Sequence, residues 1–174
     1  MRTCAGIDLH SSNNYIGVID EKDKRLFKKR LPNRLDDILT AISPFKKTLE
    51  GVVVESTYNW YWLVDGLQGA GYNVKLANTV AMKKYDGLKH SNDETDAQYL
   101  AHMLRLNILP TGTILAPEQR AIRDLARKRL QLVRSRTSHI LSIENIAARQ
   151  QALRINSNQV KRLQNEDVDK LGFP

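Results

Sequence analysis

The first thirty residues alternate short apolar runs with polar turns. Turn signals lie at Asn13-Asn14 and at residues 21–24, and the runs between them are rich in β-branched and aromatic residues. This pattern predicts strands over residues 3–9, 15–20 and 25–31. Because the connections are short, we expect an antiparallel meander, with the third strand, which is rich in Lys and Arg, at the edge.

Helical and strand patterns alternate from residue 35 onward. Apolar residues recur with helical period over residues 35–42, ahead of Pro44, and the β-branched run at residues 51–55 is typical of a strand buried on both faces. The remaining predicted elements are helices over residues 58–68, 80–85 and 91–104 and a strand over residues 72–77. The order β-β-β-α-β-α-β-α predicts a mixed five-stranded α/β sheet with helices on both faces.

The pattern changes after residue 112. Residues 118–151 contain neither Gly nor Pro, and their apolar positions predict one long helix, with a break near residues 134–138 left open. A strict heptad fails because Arg129 and Arg136 would fall on its seam. Such a helix cannot bury its own apolar face, so we expect it to pack on another domain or on a second copy. A further helix is predicted over residues 154–174.

These patterns divide the chain into a sheet domain, residues 1–110, and a helical segment, residues 111–174. No apolar run approaches the length of a membrane span, and the N-terminus lacks the apolar stretch of a signal peptide, so we expect a cytoplasmic protein with no membrane partner. Cys4 is the single cysteine, which excludes disulfides within the chain and thiolate zinc sites.

The charge is positive and clustered. The formal net charge is +8, and nearly all of the excess lies between residues 120 and 154, where Asp124 and Glu144 are the only acids. The residues that we predict to bind nucleic acid there are Arg120, Arg123, Arg127, Lys128, Arg129, Arg134 and Arg136. Arg binds phosphate well through its planar fork of donors, and a solvated helix face would normally mix both signs of charge. The segment therefore favours DNA or RNA as a partner.

Four acids lie at comparable points of the predicted fold. Asp8 ends the first strand, Glu55 ends the fourth, and Asp93 and Asp96 begin the helix after the last strand. Functional crevices lie at the carboxyl ends of parallel strands, so these acids are expected to converge and to hold Mg²⁺ or Mn²⁺ for attack at phosphates. The alternative is structural: strand-end acids that face solvent and helix-start acids that complement the helix dipole.

The four histidines are scattered along the chain. His10 and His90 fall near the proposed acids, whereas His102 and His139 do not. An isolated His is seldom catalytic, so we expect structural or surface roles for all four.

Four motifs together resemble a known family. They are Gly6-Ile7-Asp8-Leu9-His10, Glu55-Ser56-Thr57, Val74-Lys75-Leu76-Ala77-Asn78 and Asp93-Glu94-Thr95-Asp96-Ala97. In this order they resemble the DEDD-type insertion-sequence transposases and related site-specific DNA invertases, some of which are guided by a bridge RNA. The resemblance covers about the first 110 residues and departs at Thr79 and at Ser91-Asn92.

The resemblance implies a RuvC-like, ribonuclease H-like domain in which Asp8, Glu55, Asp93 and Asp96 are the catalytic metal ligands. It implies a Mg²⁺-dependent transposase or recombinase that cleaves and exchanges DNA strands, with a structured guide RNA as a further partner and self-association through the helical segment. Family members carry a C-terminal serine-bearing domain, which we expect to be absent here. Two other functions stay open: a free-standing resolvase-like or ribonuclease H-like nuclease, and a non-catalytic nucleic-acid-binding and oligomerisation module.

Overall fold

The computed structural model describes residues 1–82 and 93–170, with the side chains of residues 93–95 and 170 left out. The chain forms two compact units, Met1–Ile114 and Leu115–Pro174. The predicted acid Asp93 begins a helix, but its side chain lies outside the described part, as does the whole of His90. No helix among the described residues is long and apolar enough to cross a membrane.

The strands of the first unit form one sheet in the described part of the chain. Their bounds are β1 Thr3–Leu9, β2 Asn13–Asp20, β3 Arg25–Pro32, β4 Leu49–Glu55, β5 Val74–Ala77 and β6 Thr111–Gly112. The strand order is β3-β2-β1-β4-β5-β6. The first three strands are antiparallel, β4 runs parallel to β1 and β5 runs parallel to β4, while β6 is antiparallel to β5.

This topology confirms the predicted fold class. Three antiparallel strands are followed by two parallel ones, and the first and fourth strands are adjacent, as expected for a mixed α/β sheet. The sixth strand was not predicted. It has only two residues, too few for a periodic pattern to appear in the sequence.

Helices cover both faces of the sheet. The helices of this unit are α1 Leu35–Ile42, α2 Tyr61–Gly69, α3 Thr79–Met82 and α4 Asp93–Arg105, with a short 3-10 helix at Ser43–Phe45. Side chains of α1 and α2 pack on one face, where Ile38 and Leu63 join Ile7 and Ile16 in the main core. Helix α4 packs on the other face, where Ala101 meets Cys4.

Two glycines let α4 approach the sheet closely. Gly6 of β1 and Gly17 of β2 are cross-strand partners. A Cβ at Gly6 would overlap the carbonyl oxygen of Ala97 and lie 2.9 Å from the backbone nitrogen of Ala101, and one at Gly17 would lie 3.2 Å from the backbone nitrogen of Gln98. The backbone of α4 therefore rests directly on β1 and β2, with only small side chains between them.

A second set of contacts ties α4 to the β2–β3 turn. Asp23 has φ +64°, and its carboxylate accepts hydrogen bonds from Arg105 and pairs with the Nδ1 of His102 at 2.7 Å. Burial alone would raise the pKa of Asp23, but the hydrogen bonds from His102 and Arg105 outweigh burial and lower it. Gln98, one turn earlier on α4, accepts a 2.9 Å hydrogen bond from Arg25.

The second unit consists of helices. Helix α5 spans Pro117–Gln151 without a break, so the chain continues as a helix through residues 134–138. Pro117 stands at its first turn, where no backbone donor is needed, and Ala152 ends it with a left-handed φ of 52°.

The single helix predicted over residues 154–174 is wrong. The described residues form two short helices instead, α6 Ser157–Val160 and α7 Asn165–Lys170. Asn156 caps the first by accepting hydrogen bonds from the backbone of Asn158 and Gln159. Asp167 accepts a hydrogen bond from the backbone of Gln164 at the start of the second. Two separate capping sites start two helices where periodicity alone suggested one.

Candidate functional site

Two adjacent parallel strands carry Asp8 and Glu55 to the same end of the sheet. Ile7 of β1 pairs with Val54 of β4, so the next residue along each strand is one of the two acids. Both acids belong to the α4 side, because Asp8 lies two residues beyond Gly6 and Glu55 lies two residues beyond Val53, which packs near Leu100. Asp8 is buried, with 4% of its surface exposed, and Glu55 is half-buried.

Helix α4 runs antiparallel to β1 and brings its first turn toward these acids. Cys4 packs against Ala101, and Gly6, two residues further along β1, lies under Ala97. Moving along β1 toward Asp8 therefore means moving back toward the start of α4, where Asp93 and Asp96 lie. Asp96 is half-buried and its Oδ1 atom is inaccessible to solvent.

The structure thus places three of the four predicted acids at one end of one face of the sheet. Among the side chains it describes, no three His, Cys, Asp or Glu are close enough together to share a metal ion. The fourth predicted ligand, Asp93, has its side chain outside the described part. The backbone arrangement brings the acids to a common place, and their joint coordination of a metal stays a prediction.

His10, predicted to fall near the acids with a structural or surface role, lies beside Asp8. Its Nε2 atom lies 3.2 Å from the Oδ2 atom of Asp8. Its ring packs edge-on against Tyr15, with ring centroids 5.8 Å apart, and Tyr15 is the cross-strand partner of Asp8. A signal was available in the sequence, because residues two apart at the end of a strand point to the same face.

Side-chain amides clamp the loop that follows β1. The carbonyl oxygen of His10 accepts hydrogen bonds from Asn33 at 2.9 Å and from Asn59 at 3.1 Å. The hydroxyl of Thr57 donates to the side chain of Asn59 at 2.9 Å, and the backbone N–H of Thr57 donates to the carbonyl of Glu55 at 2.9 Å. The loops that follow the two acids are therefore fixed to each other. Thr57 belongs to the motif Glu55-Ser56-Thr57, whereas no local sequence pattern indicated a role for Asn33 or Asn59.

The predicted nucleic-acid-binding residues lie on α5 with unequal exposure. Arg120 is buried, with 2% of its surface exposed, and Arg123 is half-buried. The other members are exposed: Arg127, Lys128, Arg129, Arg134 and Arg136. The carboxylate of Asp124 lies 3.5 Å from Arg123 and 3.9 Å from Arg127. The exposed members therefore form the part of the segment that a phosphate backbone can reach.

Apolar side chains share the exposed surface of α5. Leu125 and Leu132 are 70% and 58% exposed, and they line a shallow groove together with Val133. Lys128, Arg129 and Arg136 border the same groove. An apolar stripe with cationic borders is thus presented to solvent in this unit.

The chain is similar to known proteins in both sequence and structure. A family model for DEDD transposases of the IS110 group matches residues 5–149. A search of curated protein sequences gives no match. Among solved structures, RuvC of T. thermophilus in complex with a Holliday junction substrate aligns at 14% identity over 64% of this chain and 100% of that chain, with a TM-score of 0.47. The family model covers the sheet and most of α5.

Proposed function

Since this chain belongs to the family of IS110-group DEDD transposases, we propose that its sheet unit is the carboxylate centre of a DNA strand-cleaving and strand-exchanging enzyme. The residues proposed to hold divalent metal are Asp8, Glu55, Asp93 and Asp96. The observation that carries this proposal is the convergence of β1, β4 and the start of α4 at one end of the sheet.

The donor set fits Mg²⁺ or Mn²⁺. All four proposed ligands are carboxylates, and hard divalent cations prefer oxygen donors. Asp8 is buried and Asp96 has a carboxylate oxygen that solvent does not reach, which is costly for a charge unless a cation or hydrogen-bond donor accompanies it. When bound, such ions supply Lewis-acid stabilisation of the attacking and leaving oxygens at a phosphate.

The chain's own residues prepare the site. His10 lies beside the Oδ2 atom of Asp8 and limits the orientations of that carboxylate. Asn33 and Asn59 hold the carbonyl of His10, so the ring is carried on a fixed loop. These contacts hold the Asp8 carboxylate in a defined orientation before substrate binds, which is the preorganisation that catalytic sites need.

Calorimetric titration with Mn²⁺ tests the metal proposal. The parent chain is compared with an Asp8→Asn, Glu55→Gln variant, and Asp36→Asn, which changes an exposed acid of α1, is the matched control. We expect binding in the parent and in the control and no binding in the double variant. Binding that survives in a folded double variant would remove these acids from the metal site.

The exposed surface of α5 supports a second function, binding of a nucleic-acid backbone by self-associated chains. Its exposed cations suit DNA or a structured guide RNA, and its apolar stripe at Leu125 and Leu132 suits a second copy of the chain. Sedimentation over a range of concentrations tests the association. A chain that stays monomeric in the presence and absence of nucleic acid would exclude this use of the stripe.

A further inference from the structure

The edge strand β3 carries cations on the same side of the sheet as the acids. Lys28 is paired with Gly17, which faces α4, and Arg30 is paired with Tyr15 on the same side. Arg25 reaches the side chain of Gln98 on α4. We call Arg25, Lys28 and Arg30 the cationic row. All three are exposed.

A continuous series of contacts connects the cationic row to Asp8. The guanidinium of Arg30 lies 5.7 Å from the ring centroid of Tyr15, and its Nε donates a 3.1 Å hydrogen bond to Asn13. Tyr15 contacts the ring of His10, which in turn lies 3.2 Å from Asp8. The outer end of the series is exposed and cationic, and its inner end is the buried carboxylate.

The charged side chains of β3 are all positive. The sequence contains no acid between Asp23 and Asp36, and the β3 segment holds Arg25, Lys28, Lys29 and Arg30. Charged residues on an edge strand also prevent pairing with other sheets. Lys29 is exposed on the same strand, and alternation directs it to the opposite face of the sheet. Its charge protects the edge from pairing as well as the charges of Lys28 and Arg30 do. Edge protection alone therefore gives no reason to distinguish Lys28 and Arg30 from Lys29.

We propose that the cationic row binds the phosphodiester backbone of a nucleic-acid strand and leads that strand to the carboxylate site. Lys and Arg bind phosphate oxygens through charge-assisted hydrogen bonds, and residues two apart on a strand present their charges in a regular line. In this proposal the cationic row contacts phosphates and not bases, so it positions a nucleic-acid strand without selecting its sequence. This inference rests on the proposed function, because it makes the row the entrance to that site.

The test is the salt dependence of oligonucleotide binding by the full chain, measured by fluorescence anisotropy in EDTA. A Lys28→Gln, Arg30→Gln variant is compared with Lys29→Gln as the matched control. Each lost phosphate contact lowers the slope of log K against log salt by about 0.9 on duplex DNA and about 0.7 on single strands. We expect a reduction of about 1.8 or 1.4 in the double variant and no change in the control. Matched DNA and RNA oligonucleotides show which backbone the row prefers.

An equal slope in the double variant and the control would overturn the proposal and leave edge protection as the role of the row. Arg30→Lys, which keeps the charge, is expected to keep the parent slope. If its slope falls by the value of one lost contact, about 0.9 on duplex DNA, packing on Tyr15 and not charge is responsible, and the proposal fails. Because EDTA removes divalent ions, this result is independent of the Mn²⁺ titration, so either proposal can fail while the other stands.

Discussion

The two units of this molecule use their charged residues in opposite ways. Residues 1–114 carry 15 basic and 13 acidic side chains, and the site acids Asp8, Glu55 and Asp96 are buried or half-buried. Residues 115–174 carry 12 basic and 6 acidic side chains, and most of those on α5 are exposed. The charged side chains of the site are therefore held in fixed positions in the sheet unit, whereas the charged side chains of α5 lie on an exposed surface. The first suits chemistry at one point and the second suits binding along a polyanion.

The largest expected effect comes from adding a methyl group where α4 packs directly on the sheet. Gly6→Ala would place a methyl group against the backbone of Ala97 and Ala101, which cannot move aside as a flexible side chain can. We expect a loss of about 3 kcal/mol in the free energy of unfolding. Denaturant titration followed by tryptophan fluorescence measures it, because both tryptophans, Trp60 and Trp62, belong to the sheet unit.

Gly69→Ala is the control for that substitution. Gly69 is the last residue of α2, and a Cβ there would meet nothing within 4 Å. Ala is a better helix former than Gly, so we expect this variant to be as stable as the parent or more stable, by up to about 1 kcal/mol. If Gly6→Ala is equally harmless, α4 does not rest on β1 as described, and the convergence of the acids loses its basis.

The amide clamp on the loop after β1 is expected to have an intermediate effect. Asn59→Ala removes one of the two side-chain donors to the carbonyl of His10, and we expect a loss of about 1 to 2 kcal/mol in the free energy of unfolding. Asn33→Ala removes the other donor. Because both amides serve one oxygen, the double variant should not equal the sum of the single changes. Strict additivity in a double-mutant cycle would show that the two side chains act separately.

The cluster around Asp23 predicts a modest dependence of stability on pH. Its pKa is lowered in the folded state, so its contribution is present above the unfolded value of about 3.9 and is lost as the pH falls through the folded value. The carboxylate is partly exposed, and we expect only about 0.5 kcal/mol. Asp23→Asn should therefore flatten the acid side of the stability profile slightly, measured by denaturant titration between pH 6 and pH 3. A parent and variant with parallel profiles would contradict the pairing.

The sequence was sufficient for the parts of this fold that depend on periodicity. Alternation and strand-end position placed Asp8 and Glu55, because parallel neighbours bring their carboxyl ends together. The sequence was insufficient for contacts between distant segments. Asn59 is 49 residues from His10, and nothing near either residue indicates that they meet. The close approach of α4 at Gly6 could not be predicted from the sequence either, because a glycine in a strand does not indicate which element packs against it.

The smallest expected effect lies in the helical unit and completes the comparison. Leu132 on α5 is 58% exposed, whereas Leu100 on α4 is 4% exposed beneath the sheet. Leu132→Ala should change the free energy of unfolding by less than about 0.5 kcal/mol at low protein concentration, whereas Leu100→Ala should cost about 2 kcal/mol. If a second copy covers the α5 stripe, the effect of Leu132→Ala must grow with protein concentration, because association stabilises the folded chain by mass action. Denaturant titrations at two concentrations a hundredfold apart, followed by circular dichroism to include α5, separate the cases. An effect that is large at both concentrations would mean that Leu132 is already buried within one chain, and the contrast between a fixed unit and an open surface would fail.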